Sequence, residues 1–380
     1  MKEVLWMKRS KTPIITSKRV QNYLKLQNST REQPVESQCN NMIYLDKNEN
    51  PYNPSLGKFC LSDFQNLIAK YPDPMYREFL SQVSEEIGYP TSYIIAGAGS
   101  DELLDLIFRT YLDYNDIVLS VNPTFSMYKK YAEINGATYM SYPLELKLDK
   151  TKGIASYIIN ETRFLEYAKF SKILVLARPN NPDGSVISKD FIVELLKLKM
   201  LTVIDEAYIE FSEVSSLLEL MGKYDNLIII RTLSKSHALA GMRLGYAIAN
   251  PLIIEILKKV KSPYNVTTFG AQLGISMMRS EEILENIQKI KNTREVIFQK
   301  LLFLRNKTTK FYIHMSQGNF ILMRFLNPRI TNSVYQYLLN SRIKVRIFED
   351  QLPNCIRVSI GTNDQMDALL KELETFFEVK

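Results

Sequence analysis

The sequence has no run of apolar residues long enough to cross a bilayer, and it contains little cysteine or histidine. A membrane-spanning helix needs about 20 such residues, so we predict no transmembrane segment and no membrane partner. Its three cysteines, Cys39, Cys60 and Cys355, are odd in number and far apart. This spacing predicts free thiols in a reducing compartment. The two histidines, His237 and His314, are too few for a histidine-based metal site, and we expect no bound metal.

The N-terminal segment is basic but has no apolar core of signal-peptide length, so we expect a cytoplasmic protein. The net charge is +7, and residues 1–40 contain eight lysines and arginines against three glutamates. We interpret this segment as a solvated basic arm. A nucleic-acid-binding arm is the alternative, but no aromatic interleaving or recognition module supports it. We therefore predict no nucleic-acid partner.

Short apolar runs between residues 60 and 260 are rich in valine, isoleucine and leucine and do not alternate with polar residues. Strands buried on both faces have this texture, which indicates a mostly parallel sheet flanked by helices. Such a sheet is typical of α/β proteins. The runs are IVLSV (117–121), KILVLA (172–177), LTVID (201–205), LIIIRT (227–232) and LGYAIA (244–249).

The pattern changes after residue 265, where one long helical stretch, roughly 268–305, is followed by fewer and more amphipathic strand candidates. This is typical of an α+β unit. We predict a basic arm at 1–40, a segment at 41–60 that packs on the small domain, a large domain at 61–265 and a small C-terminal domain at 266–380. The later elements are GNFILMRF (318–325), a helix near 332–340, IKVRIF (343–348), CIRVSIG (355–361) and a terminal helix.

Polar residues follow these apolar runs, at the edge where open α/β sheets bind ligands. Asp205 ends one run and Lys235 follows the next, with Arg243 eight residues further on. Ser100 follows a glycine-rich turn at a predicted helix start, where free amides suit a phosphate. Each residue has an ordinary structural interpretation, such as a cap, a turn or a solvated cation.

Together these residues fit pyridoxal 5'-phosphate, which needs a lysine, an acid at its ring nitrogen, and cations and amides for its phosphate. Lys235 supplies the first group and Asp205 the second. The candidates for the phosphate site are Ser100, Thr232, Ser234 and Arg243.

With these motifs, the chain from residue 44 onward resembles the fold-type I pyridoxal-phosphate aminotransferases, and among them the histidinol-phosphate aminotransferases. The resemblance implies a small-molecule amino donor and a 2-oxo acid, most simply histidinol phosphate and 2-oxoglutarate. The matching stretches include LDKNENP (45–51), YPDP (71–74), AGAGSDEL (96–103), NPTFSMY (122–128), PNNPDG (179–184), DEAYIEF (205–211), TLSKSHALAGMRLGY (232–246), PYNV (263–266), GNFIL (318–322) and IRVSIGT (356–362).

The resemblance also implies a role for each matching residue. Lys235 is the Schiff-base lysine and proton shuttle, and Asp205 keeps the ring nitrogen protonated. Tyr208 and Asn181 bind the ring hydroxyl, and Phe125 stacks on the ring. The phosphate is bound by Arg243, Thr232 and Ser234 together with the amides of Ser100 and Asp101.

Three further positions are expected to bind the substrate, and one to join two subunits. Arg357 and Arg346 resemble the arginines that hold the anionic end of the substrate, and Asn50 is a third substrate-binding candidate. Tyr71 is expected to reach the cofactor phosphate of a neighbouring subunit, which implies a homodimer.

The chain departs from the family pattern at Asp183, where threonine is usual, and at His237, where phenylalanine is usual. We interpret His237 as a packed loop residue. These departures leave open a related aminotransferase for another amino acid, or a threonine-phosphate decarboxylase. A transcription regulator with an aminotransferase-like domain is disfavoured, because only about 40 residues precede the match and none forms a helix-turn-helix pattern. A degraded homologue is disfavoured because Lys235, Asp205 and Arg243 are all present.

Overall fold

A computed structural model describes residues 17–18, 41–53, 55, 65, 67–348 and 352–378. The described residues therefore leave out nearly all of the predicted basic arm at 1–40, including Cys39. They also leave out Cys60 in the next segment. The fold belongs to the α/β class, as the sequence predicts, and the described chain forms two sheets covered by helices.

The first sheet contains β2, β10, β9, β8, β7, β3 and β4 in that order. Neighbouring strands are parallel except that β10 runs antiparallel to both β2 and β9. This agrees with the predicted mostly parallel sheet. The strands are β2 Ile94–Gly97, β3 Ile117–Asn122, β4 Thr138–Pro143, β7 Ile173–Ala177, β8 Leu201–Asp205, β9 Leu227–Thr232 and β10 Gly245–Ala249.

The central strands of this sheet are buried on both faces, which explains their continuous apolar sequence. In β9, Ile228 and Ile230 pack in one apolar cluster and Ile229 packs in the other. Helices cover both faces and leave the carboxyl ends of the strands open for the site. The helices in this part of the chain are α1 Arg77–Ile87, α2 Gly99–Tyr111, α3 Met127–Ile134, α4 Glu161–Ala168, α5 Lys189–Leu196 and α6 Pro251–Val260.

The second sheet has the order β1, β13, β14, β12, β11, β6 and β5. The hairpin of β5 and β6 lies within the range 61–265, yet β6 pairs with β11, so the two sheets do not divide at one point in the chain. The boundary at residue 265 stays a prediction. The strands are β1 Ile43–Leu45, β5 Glu145–Asp149, β6 Ile154–Ile158, β11 Phe311–His314, β12 Phe320–Phe325, β13 Ile343–Ile347 and β14 Cys355–Ser359.

Two features of the C-terminal half differ from the sequence prediction. The long helical stretch is broken into two helices at Arg279–Ser280, because Ser280 starts a new helix with two glutamates in its first turn. The strands β12 and β14 are buried almost throughout rather than amphipathic, because most of their residues pack in the main apolar cluster while Leu322 and Cys355 pack with Leu352 in a separate small cluster. The helices are α7 Thr268–Met278, α8 Glu281–Thr308, α9 Pro328–Asn340 and α10 Asn363–Phe376.

No helix within the described residues is long and apolar enough to cross a membrane. Across the same part of the chain, no group of three or more histidine, cysteine, aspartate or glutamate side chains could hold a metal ion. The cytoplasmic location inferred from composition stays a prediction.

Candidate active site

The start of α2 forms one wall of the site. No side chain caps this helix at Ala98, so its first amides, including those of Ser100 and Asp101, have no side-chain partner at the cap position. Gly99 has φ +81, and a Cβ atom there would lie 2.9 Å from Nη2 of Arg243. The positive φ favours glycine here, and the missing side chain leaves room for the arginine to approach the backbone. The result is a helix N-terminus with an adjacent guanidinium, which suits an anion.

The end of β9 and the loop after it place two hydroxyl groups near the start of α2. Gly245 of β10 pairs with Thr232 of β9, and a Cβ atom at Gly245 would lie 3.1 Å from the amide nitrogen of Ser100. The Thr232 and Ser234 hydroxyls lie 2.9 Å apart. Arg243 remains half exposed, with Nη2 3.5 Å from the Asp101 carboxylate. The structure thus brings together Ser100, Asp101, Thr232, Ser234 and Arg243, the residues predicted to bind a phosphate within one chain.

Lys235 lies beyond the end of β9, and its Nζ donates a hydrogen bond of 2.9 Å to the carbonyl oxygen of Lys47. Burial, together with the nearby cation of Arg357, lowers the pKa of Lys235 from 10.5 to about 8. A substantial fraction of the amine is therefore neutral near physiological pH. A neutral amine can act as a nucleophile or accept a proton, whereas an ordinary lysine is almost fully protonated there.

Asp205, the last residue of β8, is buried and its carboxylate has two partners. Oδ2 accepts a hydrogen bond of 2.8 Å from the hydroxyl of Tyr128, and Oδ1 accepts one of 3.1 Å from the amide of Ala207. Burial raises the pKa of Asp205 from 3.8 to about 6. A carboxylate in this environment is stabilised by a cationic N–H group, which makes it a suitable partner for a protonated ring nitrogen.

Tyr208 lies three residues after Asp205, and two amides converge on its hydroxyl oxygen. Asn48 Nδ2 donates a bond of 3.1 Å and Asn181 Nδ2 one of 3.4 Å. With its oxygen accepting both bonds, the tyrosine hydroxyl can donate its own hydrogen to a ligand. The ring of Tyr208 is held edge-on against Phe320 at 5.1 Å.

Arg357 of β14 is buried next to these groups, and neutral oxygens hold its two terminal nitrogens. Nη1 donates to Asn181 Oδ1 at 2.6 Å and Nη2 to the carbonyl of Asp46 at 2.8 Å, while the buried Nε has no partner among the described residues. Burial lowers the pKa of Arg357 to about 10. Arg346 of β13 lies directly opposite Arg357 in the sheet, and both guanidinium groups lie 5.9 Å from the ring of Phe348.

Phe125 and Asn50 both lie beside the central residues. Phe125 packs edge-on against Tyr128 at 5.5 Å, which places its ring close to the hydrogen bond between Tyr128 and Asp205. Asn50 Nδ2 donates to the carbonyls of Lys235 and Ser236 at 3.1 and 3.0 Å. The Asn50 amide thus holds the lysine loop, and its contact with substrate stays a prediction.

Tyr71 is the one predicted site residue that the single chain leaves away from the others. Its side chain is 80% exposed and its ring stacks on Tyr264 at 4.6 Å. The departures at Asp183 and His237 are both buried. His237 Nδ1 lies 2.9 Å from the Ser236 hydroxyl, and burial lowers the pKa of His237 to about 4, so the ring is neutral.

Sequence reasoning missed two residues of this site, Tyr128 and Asn48. Tyr128 lies three residues after Phe125, so helical spacing placed it on the same side as a residue already singled out. Asn48 belongs to LDKNENP, a stretch already singled out, and is 1% exposed. Neither residue carries a local signal of its contact, because the partners lie 77 and 160 positions away.

The residues present fit pyridoxal 5'-phosphate. An uncapped helix start, two hydroxyls and a guanidinium suit its phosphate group. A lysine of lowered pKa, a buried carboxylate and a hydrogen-bonded tyrosine suit its aldehyde, ring nitrogen and ring hydroxyl, respectively.

Comparison with known proteins agrees with this arrangement. The family model for aminotransferase class I and II matches residues 40–373. The chain is 35% identical over 341 residues to histidinol-phosphate aminotransferase 1, chloroplastic, of Arabidopsis thaliana, covering 88% of this chain and 78% of the relative. It is 36% identical over 339 residues to histidinol-phosphate aminotransferase of Dehalococcoides mccartyi, covering 88% and 90%.

A solved structure of histidinol-phosphate aminotransferase from Sinorhizobium meliloti, in complex with pyridoxal 5'-phosphate, has the same fold. Its TM-score is 0.78 at 21% identity, covering 89% of this chain and 91% of that chain. The resemblance predicted from the motifs is confirmed. The chain belongs to the class I and II aminotransferases, a family of pyridoxal-phosphate enzymes that act on small amino and keto acids.

Proposed function

We propose that the protein transfers the amino group of histidinol phosphate to 2-oxoglutarate, producing imidazole acetol phosphate and glutamate. The observation that carries this proposal is the buried guanidinium of Arg357, whose Nε has no partner in the described part of the chain. Arg346 lies directly across the sheet from it. Relatives at about 35% identity that are named histidinol-phosphate aminotransferases support the same substrate.

The argument for a phosphate-bearing substrate is electrostatic. A guanidinium buried among neutral oxygens is desolvated, and an anion within reach would restore the lost stabilisation. The two substrates present different anions in turn, a phosphate dianion and a carboxylate. Two planar guanidinium groups on one sheet face can form paired hydrogen bonds with either anion, which a lysine cannot do. The pair Arg346 and Arg357 therefore suits a pocket that must accept both substrates.

The reaction assigns each central residue a task. When bound, the cofactor would supply a carbonyl group to carry the amino group and a ring that withdraws electrons from the carbon that loses its proton. Lys235, with its lowered pKa, takes that proton and returns one at the other carbon. Asp205, oriented by the hydrogen bond from Tyr128, would hold the proton at the ring nitrogen. Tyr208 would donate its hydroxyl hydrogen to the ring oxygen, because Asn48 and Asn181 occupy its acceptor side.

Replacing Arg357 with alanine should lower kcat/KM for histidinol phosphate and for glutamate by at least about tenfold, because each charge-assisted contact contributes roughly 1.5–3 kcal/mol. Steady-state kinetics with the purified protein and a panel of amino donors would measure this effect. Arg163→Ala, at an exposed arginine of α4, is the matched control and should leave both values unchanged.

Two outcomes would contradict this substrate assignment. One is efficient transamination of an aromatic or aliphatic amino acid with no turnover of histidinol phosphate. The other is release of carbon dioxide from threonine phosphate, which would identify a decarboxylase. Both outcomes leave the cofactor assignment intact, because Lys235 and Asp205 serve either reaction.

We also propose that the active unit is a homodimer in which Tyr71 completes the phosphate site of the neighbouring subunit. Support comes from the exposure of the stacked pair Tyr71 and Tyr264, 80% and 46% exposed in the single chain. Exposed aromatic pairs of this kind are typical of interfaces.

Mixing inactive Lys235→Ala with Tyr71→Ala should restore activity if two chains build each site. In a two-fold dimer one of the two sites of a mixed pair is intact, so random exchange should restore up to about one quarter of wild-type activity. Each variant mixed with itself is the control. Mass spectrometry should first verify that the subunits have exchanged. If activity then fails to recover, one chain builds each site.

A further inference from the structure

Asp183 is a buried carboxyl group that the proposed reaction does not use. It is 1% exposed, and Oδ1 accepts a hydrogen bond of 2.6 Å from Asn180 Nδ2. The Ser185 side chain is a second hydrogen-bonding partner. Burial raises the pKa of Asp183 to about 6, so the group is mostly ionised at neutral pH despite the cost of its burial. A hydroxyl group at this position would avoid that cost, so the carboxylate calls for another explanation.

Asn180, the partner of Asp183, joins two loops. Its Nδ2 also donates to the carbonyl of Pro123 at 3.0 Å, and its Oδ1 accepts from the Thr124 hydroxyl at 2.7 Å. Its backbone is fixed by Ser185 O, which accepts from the Asn180 amide at 2.8 Å. One side chain thus connects the loop after β3 to the loop after β7. An ionised carboxylate only accepts hydrogen bonds, so Asp183 holds the Asn180 amide with its nitrogen towards Asp183 and Pro123.

The two connected loops carry opposite parts of the site. Phe125 directly follows Thr124, and its ring packs against Tyr128, the partner of Asp205. Asn181 directly follows Asn180 and contacts Tyr208 and Arg357. A change in the position of Asn180 would therefore move Phe125, which is predicted to stack on the cofactor ring, and Asn181, which is predicted to contact the ring hydroxyl.

We propose that Asp183 is a positioning residue that, through Asn180, fixes the Phe125 and Asn181 loops at the spacing required by the cofactor. The inference rests on the proposed function only in that the cofactor binds between these loops. Asp183 itself touches neither cofactor nor substrate. The charge strengthens the bond to Asn180, since hydrogen bonds to ionised groups are stronger than those between neutral groups.

The test measures cofactor affinity in the absence of substrate. Cofactor-free protein would be titrated with pyridoxal 5'-phosphate by absorbance, for the wild type and for Asp183→Ala, Asp183→Thr and Asp183→Asn. We expect the alanine variant to raise Kd by about tenfold, since it removes a hydrogen bond to a charged group. Threonine and asparagine still offer an acceptor to Asn180 and should restore part of the affinity.

A double-mutant cycle tests whether Asp183 acts through Asn180. The double variant should have the same Kd for the cofactor as Asn180→Ala alone, because Asp183→Ala acts only by releasing the Asn180 side chain. The absorption band of the bound cofactor in Asp183→Ala should shift in the same direction as in Asn181→Ala, because both changes disturb the contact to the ring hydroxyl. If Asp183 had only a structural role, Asp183→Ala would lower the melting temperature without shifting this absorption band.

Thr331→Ala is the matched control, because Thr331 is fully buried in α9 and bonds the backbone of Asn327. It should lower the melting temperature but leave Kd for the cofactor unchanged. An unchanged Kd in Asp183→Ala, or additive effects in the double-mutant cycle, would overturn the inference about Asp183. Failure of the wild type itself to bind the cofactor would instead overturn the proposed function.

Discussion

Replacing Lys235 with alanine should abolish transamination, with a loss of about 10⁴-fold, the upper end of what a positioned acid–base group contributes. The variant loses both the covalent attachment of the cofactor and an amine next to Arg357 whose pKa is lowered to about 8. Borohydride reduction followed by peptide mapping should find the cofactor on Lys235 in the wild type and on no residue of the variant. A stable adduct on a different lysine would contradict the assignment of the whole site.

The lowered pKa of Lys235 also predicts how cofactor capture depends on pH. The neutral amine attacks the aldehyde, so the capture rate of cofactor-free protein should rise with pH and level off above about 8. An unperturbed lysine would make the rate rise up to about 10.4. Lys235→Arg is the matched control, because it keeps a cation at this position but cannot lose its proton near pH 8. Stopped-flow absorbance would measure the rates.

Replacing Asp205 with asparagine should slow turnover by several orders of magnitude, at least about 10²–10³-fold. A neutral amide cannot stabilise a protonated ring nitrogen, so the bound cofactor would withdraw fewer electrons from the substrate carbon. Single-turnover kinetics with deuterium at that carbon would test this, because slower proton abstraction should increase the isotope effect. Near-normal turnover would show that Asp205 has only a structural role.

The stability of the cofactor-free protein separates this catalytic effect from a loss of fold. Burial raises the pKa of Asp205 to about 6, above the value of about 4 for an unfolded chain. The folded protein therefore binds an extra proton between these values, and the stabilisation present below pH 4 is lost as pH rises through 6. Asparagine does not ionise. The melting temperature of the wild type minus that of the variant should therefore increase as pH falls from 8 to 4.

Five strands of the first sheet, β3 and β7 to β10, could be predicted almost to the residue, because strands buried on both faces need continuous apolar sequence. The edge strands β2 and β4 were not among the predicted runs. The runs that end at Asp205 and Thr232 correspond to β8 and β9. The convergence of Lys235, Asp205 and Arg243 also followed, since parallel strands present their carboxyl ends at one edge of a sheet. The antiparallel direction of β10 did not follow, because an apolar run reads alike in both directions.

The sequence alone determined the family and the cofactor, and it predicted the residues that bind the cofactor, because these depend on motifs of a few neighbouring residues. Only the tertiary structure decided that β6 joins the second sheet, that Tyr128 orients Asp205 and that Asn181 contacts Arg357. These contacts join residues 77 to 176 positions apart. Such pairs are set by how the strands and helices pack, and neither partner carries a local signal of the other. The proposed role of Asp183 also depends on the tertiary structure, because its neighbour Asn180 contacts Pro123 and Thr124, which lie 57 and 56 positions away.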